Sequence, residues 1–421
     1  MFAALELLAH GFKPIIFERG KRLDERTRDV RTFMNERILN PESNIQFGEG
    51  GAGAYSDGKL FSRKVNTSPI NQVLNTFIEF GAPGKIGTVS KPHLGTDVLR
   101  EIVCNIREHI LAQGGEIHYN AKMTELLLFN NQAVGVVING EKEYACSSLY
   151  LAVGHSARDT FEMLASTGVR LEQKPITIGM RVEHPAAIIN QMRRGDPHQD
   201  VPAVGAATYS LNYTDRKLKR GVYTFCMCPG GEVVNASSEE GLLVVNGMSY
   251  AKRAAPFSNA ALVVNCHLSD YPSTDPLAGI AFQKAIESKA FRAGGGSWRV
   301  PAQNLLDYMR GKESDNLNLN SCATGTVAAD MRDLFPSFIN DTLMAAFAIW
   351  QESYPLFVSP HAILIGAETR AAAPLRIVRG ADFASVNIRN LYPIGEGSGY
   401  TGGITSSAAD AIRAVTAVVI K

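Results

Sequence analysis

Residues 391–412 read LYPIGEGSGYTGGITSSAADAI and combine a strand pattern, a glycine-rich turn and a helix pattern. The segment predicts a short strand, a turn and a helix whose N-terminus is formed by Gly402, Gly403 and Ile404. The opening residues 1–20, MFAALELLAHGFKPIIFERG, predict a helix and then a short buried strand that closes at Glu18. Both ends of the chain therefore predict parts of one α/β domain.

The composition is that of an ordinary globular protein of two or three domains. Of the 421 residues, 45% are hydrophobic and 20% are charged, and the formal net charge is +1. This charge argues against a nucleic-acid partner, and no polybasic cluster favours a membrane surface. The longest apolar runs fall short of the roughly 18 residues of a membrane span, and no signal-peptide cleavage site is visible. We therefore expect a cytoplasmic protein that acts on a small-molecule substrate, with its oligomeric state left open.

The six cysteines are too few for a disulfide framework and include no C-x-x-C pair, so we expect them to be reduced. Cys226 and Cys228 form a C-x-C pair, which fits neither a paired zinc knuckle nor a thioredoxin-type redox site. We expect the two on alternate faces of one strand, with one of them in the core. The sequence predicts no metal site.

Turn residues and periodicity divide the chain into three parts. Residues 1–175 predict an α/β domain with a long glycine-rich loop, a helix and an inserted β-meander. Residues 176–385 predict a separate β-rich domain with a helical addition, and residues 386–421 return to the pattern of the first domain. No internal repeat and no low-complexity tract interrupts this order.

Glu18 is the first residue with a predicted chemical role. In a dinucleotide-binding βαβ unit, an acidic residue at the end of the second strand accepts hydrogen bonds from the adenosine ribose. The alternative is a solvated carboxylate at a strand end.

Residues 48–53, GEGGAG, match the pattern G-x-G-x-x-G, yet no strand pattern precedes them and no helix pattern follows. We therefore interpret them as a loop rather than a second Rossmann turn. Glycines let backbone amides approach a pyrophosphate or a planar ring closely. The alternative is a flexible surface loop, but the flanking Phe47, Tyr55 and Leu60 favour an ordered one.

The order of several motifs resembles the uncharacterised FAD-dependent dehydrogenases that are often called NAD(FAD)-utilising. The motifs are IIFERG, FGEGGAGAYSDGKLFSR, LAVGHSARDT, TFCMCPGGEVV, VVNGMS, VPAQ, ETRAAAPLRI and LYPIGEGSGYTGGITSSAADAI. The resemblance implies a glutathione-reductase-like flavoprotein with a single FAD-binding Rossmann-like domain and an inserted β-rich and helical second domain. It also implies that this chain lacks the first strand and the glycine turn of that domain, because family members carry both directly before the first helix.

The resemblance assigns the FAD contacts residue by residue. The C-terminal helix would point its positive end at the flavin, and Gly395 and Glu396 would pass the ribityl chain and pyrophosphate. Gly154 would end a second FAD-contact turn, and the backbone of Met123 would meet the adenine. The predicted contacts are Glu18, Arg19, Gly50, Gly51, Ala52, Gly53, Met123, Gly154, Gly395, Glu396, Gly402, Gly403 and Ile404.

The catalytic side chains are less well defined by the sequence. The candidates are His155, Cys226, Cys228, Arg253 and Arg376, which lie in or beside the motifs. For His155 we favour a hydrogen bond to a loop carbonyl over acid–base catalysis, and Arg253 is a candidate for binding an anionic substrate or an ordinary surface arginine.

The predicted function is an FAD-dependent oxidoreductase that passes a hydride between a small organic substrate and the flavin, with NAD(P)H as a candidate reductant. The alternatives are a flavin-dependent oxidase, an RNA-modifying flavoprotein, and an FAD-binding regulatory or structural protein without turnover.

Overall fold

The computed structural model describes residues 1–60, 67–89, 92–196 and 205–419. Their helices are α1 (Phe2–Ala9), α2 (Leu23–Glu36), α3 (Ser68–Glu79), α4 (Thr96–Ala112), α5 (Arg158–Ser166), α6 (Ala186–Arg194), α7 (Ala278–Ala293), α8 (Leu305–Arg310), α9 (Ser337–Ser353) and α10 (Ile404–Val419). Their strands are β1 (Ile15–Phe17), β2 (Glu116–His118), β3 (Met123–Phe129), β4 (Gln132–Ile138), β5 (Lys142–Ala145), β6 (Leu149–Leu151), β7 (Leu171–Gln173), β8 (Ile176–Pro185), β9 (Asn212–Asp215), β10 (Arg220–Cys228), β11 (Glu232–Asn235), β12 (Val245–Met248), β13 (Phe257–Cys266), β14 (Val300–Asn304), β15 (Thr326–Ala328), β16 (Ile363–Glu368), β17 (Leu375–Ile377) and β18 (Leu391–Pro393).

A seven-stranded mixed sheet forms the core of the middle of the chain. Its strand order is β15-β14-β16-β8-β13-β10-β9, and β14 and β15 are its parallel pair. The central strands β8 and β13 pair antiparallel along ten residues each and are almost wholly buried. Such continuous burial requires cover on both faces, and α7 and α9 pack against strands of this sheet.

Two short pairs of parallel strands lie nearer the chain ends. The strand β1 pairs with β2, and β6 pairs with β18, so the predicted C-terminal strand lies beside a strand of the first 175 residues. The helix α10 packs against α1 and α3. The mixed α/β class is confirmed, while the continuous Rossmann-like sheet and the domain bounds stay predictions, because the described strands form separate pairs here.

Local patterns predicted several elements correctly. The inserted β-meander is β3, β4 and β5, which pair in sequence order. Residues 48–53 follow no strand, and their end overlaps a short 3-10 turn (Ala52–Tyr55) that stands in place of an α-helix. No helix of the described residues is long and apolar enough to cross a membrane.

The prediction of one long glycine-rich loop between the first strand and α4 was wrong, because α2 and α3 lie within that stretch. The buried positions of α2 are Leu23, Arg26, Val30 and Phe33, a helical spacing in which one member is an arginine. Since this charged residue occupies a buried position, the apolar stripe that marks a helix is interrupted.

Candidate functional site

The buried Arg26 on α2 holds the glycine-rich loop in place. Its guanidinium donates hydrogen bonds of 2.7–3.2 Å to five backbone carbonyl oxygens, three in this loop and two in the residues just before it. These acceptors belong to Asn44, Ile45, Gly48, Glu49 and Gly51. Burial lowers the pKa of Arg26 to about 10, so the side chain keeps its charge at neutral pH. The contacts support the ordered alternative for this loop.

The same loop carries a buried carboxylate and a half-exposed strip of backbone. Glu49 accepts hydrogen bonds from Arg107 Nη1 at 2.8 Å, Tyr119 Oη at 2.7 Å and the Leu23 amide at 2.8 Å. The strip formed by Gly50, Gly51, Ala52 and Gly53 is half-exposed. Between described residues, the hydrogen bonds include none donated by the amides of Gly50, Ala52 or Gly53. These three backbone N–H groups are therefore available as hydrogen-bond donors to a ligand, in a loop that Arg26 holds in place.

The start of α10 lies against this strip. A Cβ atom built on Gly53 would lie 3.3 Å from Ile404 Cγ1, and Thr405 Oγ1 donates to the Leu60 carbonyl at 2.7 Å. Gly403 has a φ of 83°, and a Cβ there would meet no described atom within 4 Å. The structure therefore brings two predicted cofactor segments together and leaves space beside the helix start.

Glu396 lies beside the helix start as well. Its Oε1 is the nearest described atom, at 3.8 Å, to a Cβ built on Gly402. Burial raises the pKa of Glu396 to about 7, against the opposing effects of Lys174 and the amide of Gly403. At neutral pH this carboxyl group is therefore partly protonated.

The turns after β6 and β18 are in direct contact. A Cβ built on Gly397 would lie 2.6 Å from the carbonyl oxygen of Gly154, so only a glycine fits there. The amide of Gly395 donates to Asp410 Oδ2 at 3.0 Å, and Arg379 binds both oxygens of Asp410 at 2.7 and 2.9 Å. These contacts fix the C-terminal glycine segment onto the predicted second turn.

Glu18 and Met123 lie near the first residue of the glycine-rich loop, Gly48, at the end away from α10. Glu18 Oε1 accepts from the amides of Gly20 and Gly48, both at 2.9 Å. Its backbone carbonyl accepts from Ala121, two residues before the start of β3 at Met123. The glycine-rich loop therefore contacts Glu18 through Gly48 and lies against Ile404 through Gly53. The Oε1 atom of Glu18 already accepts hydrogen bonds from the protein backbone.

Arg19 is held by carboxylates of the protein. It forms two hydrogen bonds of 2.9 Å with Asp159 and one of 2.7 Å with Glu42, and its guanidinium lies 4.0 Å from the centroid of the Phe47 ring. Lys122 bridges the same two carboxylates at 3.0 and 2.6 Å. Arg19 is therefore bound by protein carboxylates and packs on Phe47, the residue directly before the glycine-rich loop.

A second polar group follows the glycine-rich loop and is here called the Asp57 cluster. Its members are Asp57, Lys59, His93, Ser249 and Arg253. The buried Asp57 carboxylate lies 2.7 Å from Lys59 Nζ, 2.7 Å from Arg253 Nη2 and 3.6 Å from His93 Nε2, and it accepts a hydrogen bond from Ser249 Oγ. Burial lowers the pKa of His93 to about 4, so its imidazole is neutral at pH 7.

The cysteine pair lies beside the Asp57 cluster. Lys59 Nζ donates to the carbonyl of Met227, which separates the two cysteines. Cys226 is exposed and Cys228 is buried, as expected, although positions two apart share a face in a regular strand. A bulge between Phe225 and Cys228, with φ of 42° at Cys226, turns the two side chains apart. Burial raises the pKa of the Cys228 thiol to about 12, which disfavours a thiolate role for that residue.

His155 lies apart from the Asp57 cluster. Its Nδ1 is 2.8 Å from Ser156 Oγ, which also lies 3.2 Å from Gln46 Oε1, so its observed partner is a side chain and not the loop carbonyl we favoured. Burial lowers the pKa of His155 to about 4, with smaller contributions from Arg158 and Arg370. Arg376 also lies elsewhere, with its Cζ 5.7 Å from the centroid of the Tyr400 ring.

A buried ionic cluster joins α5 to α7 and the segment after β16. Both oxygens of the fully buried Glu287 bind Arg158, at 2.8 and 2.7 Å, and Arg370, at 3.1 and 2.8 Å. The two guanidinium groups hold the pKa of Glu287 well below its usual range, although burial opposes them. Glu239 contacts both arginines at 3.0 Å. This cluster fixes the first part of the chain to the middle part.

Sequence reasoning missed Arg26 and four members of the Asp57 cluster, namely Asp57, Lys59, His93 and Ser249. Asp57 and Lys59 lie in the quoted motif FGEGGAGAYSDGKLFSR, so that motif held a usable signal. No comparable signal marks His93 or Ser249. Cys226, Cys228 and Arg253 were candidates, and the structure brings them to one place.

Two comparisons with other proteins give a family context. Residues 175–371 match the family described as FAD-dependent protein, C-terminal domain-like. An uncharacterized protein of Clostridium beijerinckii (strain ATCC 51743 / NCIMB 8052) is 43% identical over 423 residues, which cover 100% of this chain and 79% of that protein.

Solved structures with distant similarity include those of CtdE and of the halogenase PltM. CtdE in complex with FAD is 13% identical and has a TM-score of 0.34, with 99% of this chain and 80% of that chain covered. The halogenase PltM in complex with phloroglucinol and FAD is 10% identical with a TM-score of 0.39, at 100% and 66% coverage. At such TM-scores, these likenesses carry no argument for this chain.

Proposed function

We propose that this chain, which belongs to the same family as the Clostridium beijerinckii protein and whose residues 175–371 match a family of FAD-dependent proteins, is an FAD-dependent oxidoreductase. It passes a hydride between a small organic substrate and the flavin, and NADH or NADPH reduces the flavin. Residues 1–175 and 386–421 form the Rossmann-like FAD-binding part, and residues 176–385 form the substrate domain.

The residues present fit FAD, which is the cofactor of this protein. The amides of the half-exposed residues Gly50, Ala52 and Gly53 offer donors to phosphate oxygens, and Gly403 leaves open space beside the start of α10. Glu18, with Oε1 engaged by two amides, keeps Oε2 for a ribose hydroxyl. Bound FAD supplies the two-electron chemistry that no side chain of this chain provides.

The observation that carries the proposal is the position of the Asp57 cluster directly after the glycine-rich loop. Ser56 Oγ donates to the Gly53 carbonyl at 2.9 Å, so the cofactor strip and Asp57 belong to one continuous, fixed segment. Lys59 and Arg253 provide positive charge for binding and orientation of a substrate. The neutral imidazole of His93 exchanges the proton that accompanies hydride transfer at Nε2, which lies 3.6 Å from Asp57 Oδ1.

The test is anaerobic stopped-flow reduction of the FAD-loaded protein by NADH and by NADPH, followed by the loss of the visible absorbance of oxidised flavin. We expect reduction by at least one of the two. His93→Gln should retain FAD and slow substrate-dependent turnover by about 100-fold or more, whereas the exposed His361→Gln should match wild type. Stoichiometric FAD without reduction by either nucleotide or by any of a panel of organic substrates would favour the alternative without turnover.

A further inference from the structure

The Asp57 cluster carries more positive than negative charge among its contacting groups. Two cations, Lys59 and Arg253, share the single carboxylate of Asp57. Burial lowers the pKa of His93 to about 4, so this residue adds no charge at neutral pH. The nearby Arg181 is matched by Glu368, whose carboxylate lies 2.5 Å from its Nε. One positive charge is therefore left without a partner in the cluster.

A further carboxylate, Asp97, lies near His93 but does not cancel this surplus. Asp97 is exposed to solvent in the first turn of α4, and its Oδ1 accepts from the amide of Ala251 at 2.8 Å. Its charge is thus stabilised by a backbone donor, the positive end of a helix and water.

Two buried nitrogen atoms of the cluster, one of them an Arg253 donor, have no hydrogen-bond partner among the described residues. Arg253 Nε and His93 Nε2 are both buried atoms without such a partner. A buried donor without an acceptor costs about 1–3 kcal/mol, so a ligand that accepts there gains binding energy. The side chains of Lys59 and Arg253 are 23% and 22% exposed, so a ligand can reach them.

The backbone holds Arg253 in an uncommon conformation at this place. Its φ is 47°, in the left-handed region that non-glycine residues rarely adopt. Its carbonyl packs so closely on Gly230 that a Cβ there would lie 1.9 Å away. Strain of this kind persists where the surroundings fix it and is frequent at ligand sites.

We propose that the Asp57 cluster binds the carboxylate group of a monoanionic organic substrate through Arg253 and Lys59, an assignment that rests on the proposed function. A monocarboxylate balances the single surplus charge. A phosphate dianion would leave an excess negative charge in a half-buried site, which is unfavourable. The substrate class is therefore small monocarboxylates.

The test measures binding of formate, acetate and benzoate against their uncharged amides, by ligand-observed NMR and calorimetry on the purified protein. At least one carboxylate should bind at least tenfold more tightly than its amide. Arg253→Gln should weaken that binding by about tenfold or more, since it removes a charged hydrogen bond. The matched control is Lys252→Gln, which removes the same charge from the exposed neighbouring residue and should change binding less than twofold.

A second variant, Asp57→Asn, raises the surplus positive charge of the cluster, which Arg253→Gln lowers. Asp57→Asn keeps the shape and removes the negative charge, so the surplus rises by one, and the ratio of inorganic phosphate affinity to carboxylate affinity should increase. Equal binding of all acids and amides, absence of binding by all three acids, or equal effects of Arg253→Gln and Lys252→Gln would overturn the assignment. FAD content and reduction by NADH or NADPH, measured on the same samples, report on the proposed function separately.

Discussion

The two glycine-rich segments of this protein, residues 48–53 and 395–403, are fixed by different means. In the first, Arg26 donates to carbonyls along the loop, so a charged side chain determines the backbone path. In the second, backbone packs directly on backbone, as Gly397 does on Gly154. The two segments have similar compositions but differ in what fixes their backbone conformation. The first depends on the side chain of Arg26, and the second depends on glycines that allow close backbone packing.

The largest effect should follow from removal of the arginine beneath the first segment. Arg26→Met would leave several buried carbonyls without a donor, each at a cost of about 1–3 kcal/mol, so the free energy of unfolding should fall by more than about 3 kcal/mol. Urea denaturation measures this change. Arg28→Met on the exposed side of the same helix is the control and should stay within about 0.5 kcal/mol. Equal effects of the two variants would show that the first segment is held by other contacts.

Two glycines within the first segment should separate strain from steric conflict. Gly48 has φ of 118°, and a Cβ there would lie 2.4 Å from Arg26 Cδ, whereas a Cβ on Gly51, φ 60°, would meet nothing within 4 Å. Gly51→Ala should cost about 1–3 kcal/mol through its positive-φ backbone alone. Gly48→Ala should cost about 1–3 kcal/mol more, as an overpacked site does. Similar unfolding free energies for the two would contradict the tight contact with Arg26.

In the second segment, a matched pair of glycines should separate stability from cofactor binding. Gly403 (φ 83°) and Gly168 (φ 84°) both have open space around a built Cβ, but Gly168 follows α5 and lies outside the predicted contacts. Both Ala variants should lose about 1–2 kcal/mol of stability. FAD affinity, measured by fluorescence titration, should fall about tenfold or more in Gly403→Ala and stay unchanged in Gly168→Ala. Unchanged affinity in both would remove the start of α10 from the cofactor site.

The smallest effect concerns the carboxyl group of the second segment. Burial raises the pKa of Glu396 to about 7, so between its unfolded value near 4.5 and pH 7 the folded protein binds more protons than the unfolded chain. Stability from this group is therefore present at low pH and is lost as the pH rises through about 7. The advantage of Glu396→Gln over wild type should grow between about pH 5 and pH 8 in urea titrations. The exposed Glu172→Gln should show no such trend.

Local pattern was enough to predict the glycine segments and the start of α10 at Ile404, because each is encoded within about ten neighbouring residues. It was not enough for Arg26, whose burial depends on carbonyls 18–25 positions later in the chain. From sequence, an arginine in the stretch DERTRD is typical of a solvated helix face.

The Asp57 cluster was beyond sequence reasoning for a related reason. Asp57 and Arg253 are 196 positions apart, Ser249 lies just before Arg253, and His93 comes from a third segment. Their pairing arises only when the glycine-rich loop meets the middle part of the chain. The bulge at Cys226 shows the same limit on a smaller scale, because a regular pleat would have put both cysteines on one face.

The ionic cluster around Glu287 limits where two related proteins can be joined to make a stable chimera. A crossover at the family boundary near residue 175 would carry Glu287 and Arg370 from one parent and Arg158 from the other. If the donated segment lacked a matching arginine, the chimera would hold a buried carboxylate with one guanidinium instead of two, which is strongly destabilising. The ionic cluster around Glu287 therefore extends to Arg158, upstream of residue 175 where the family match begins.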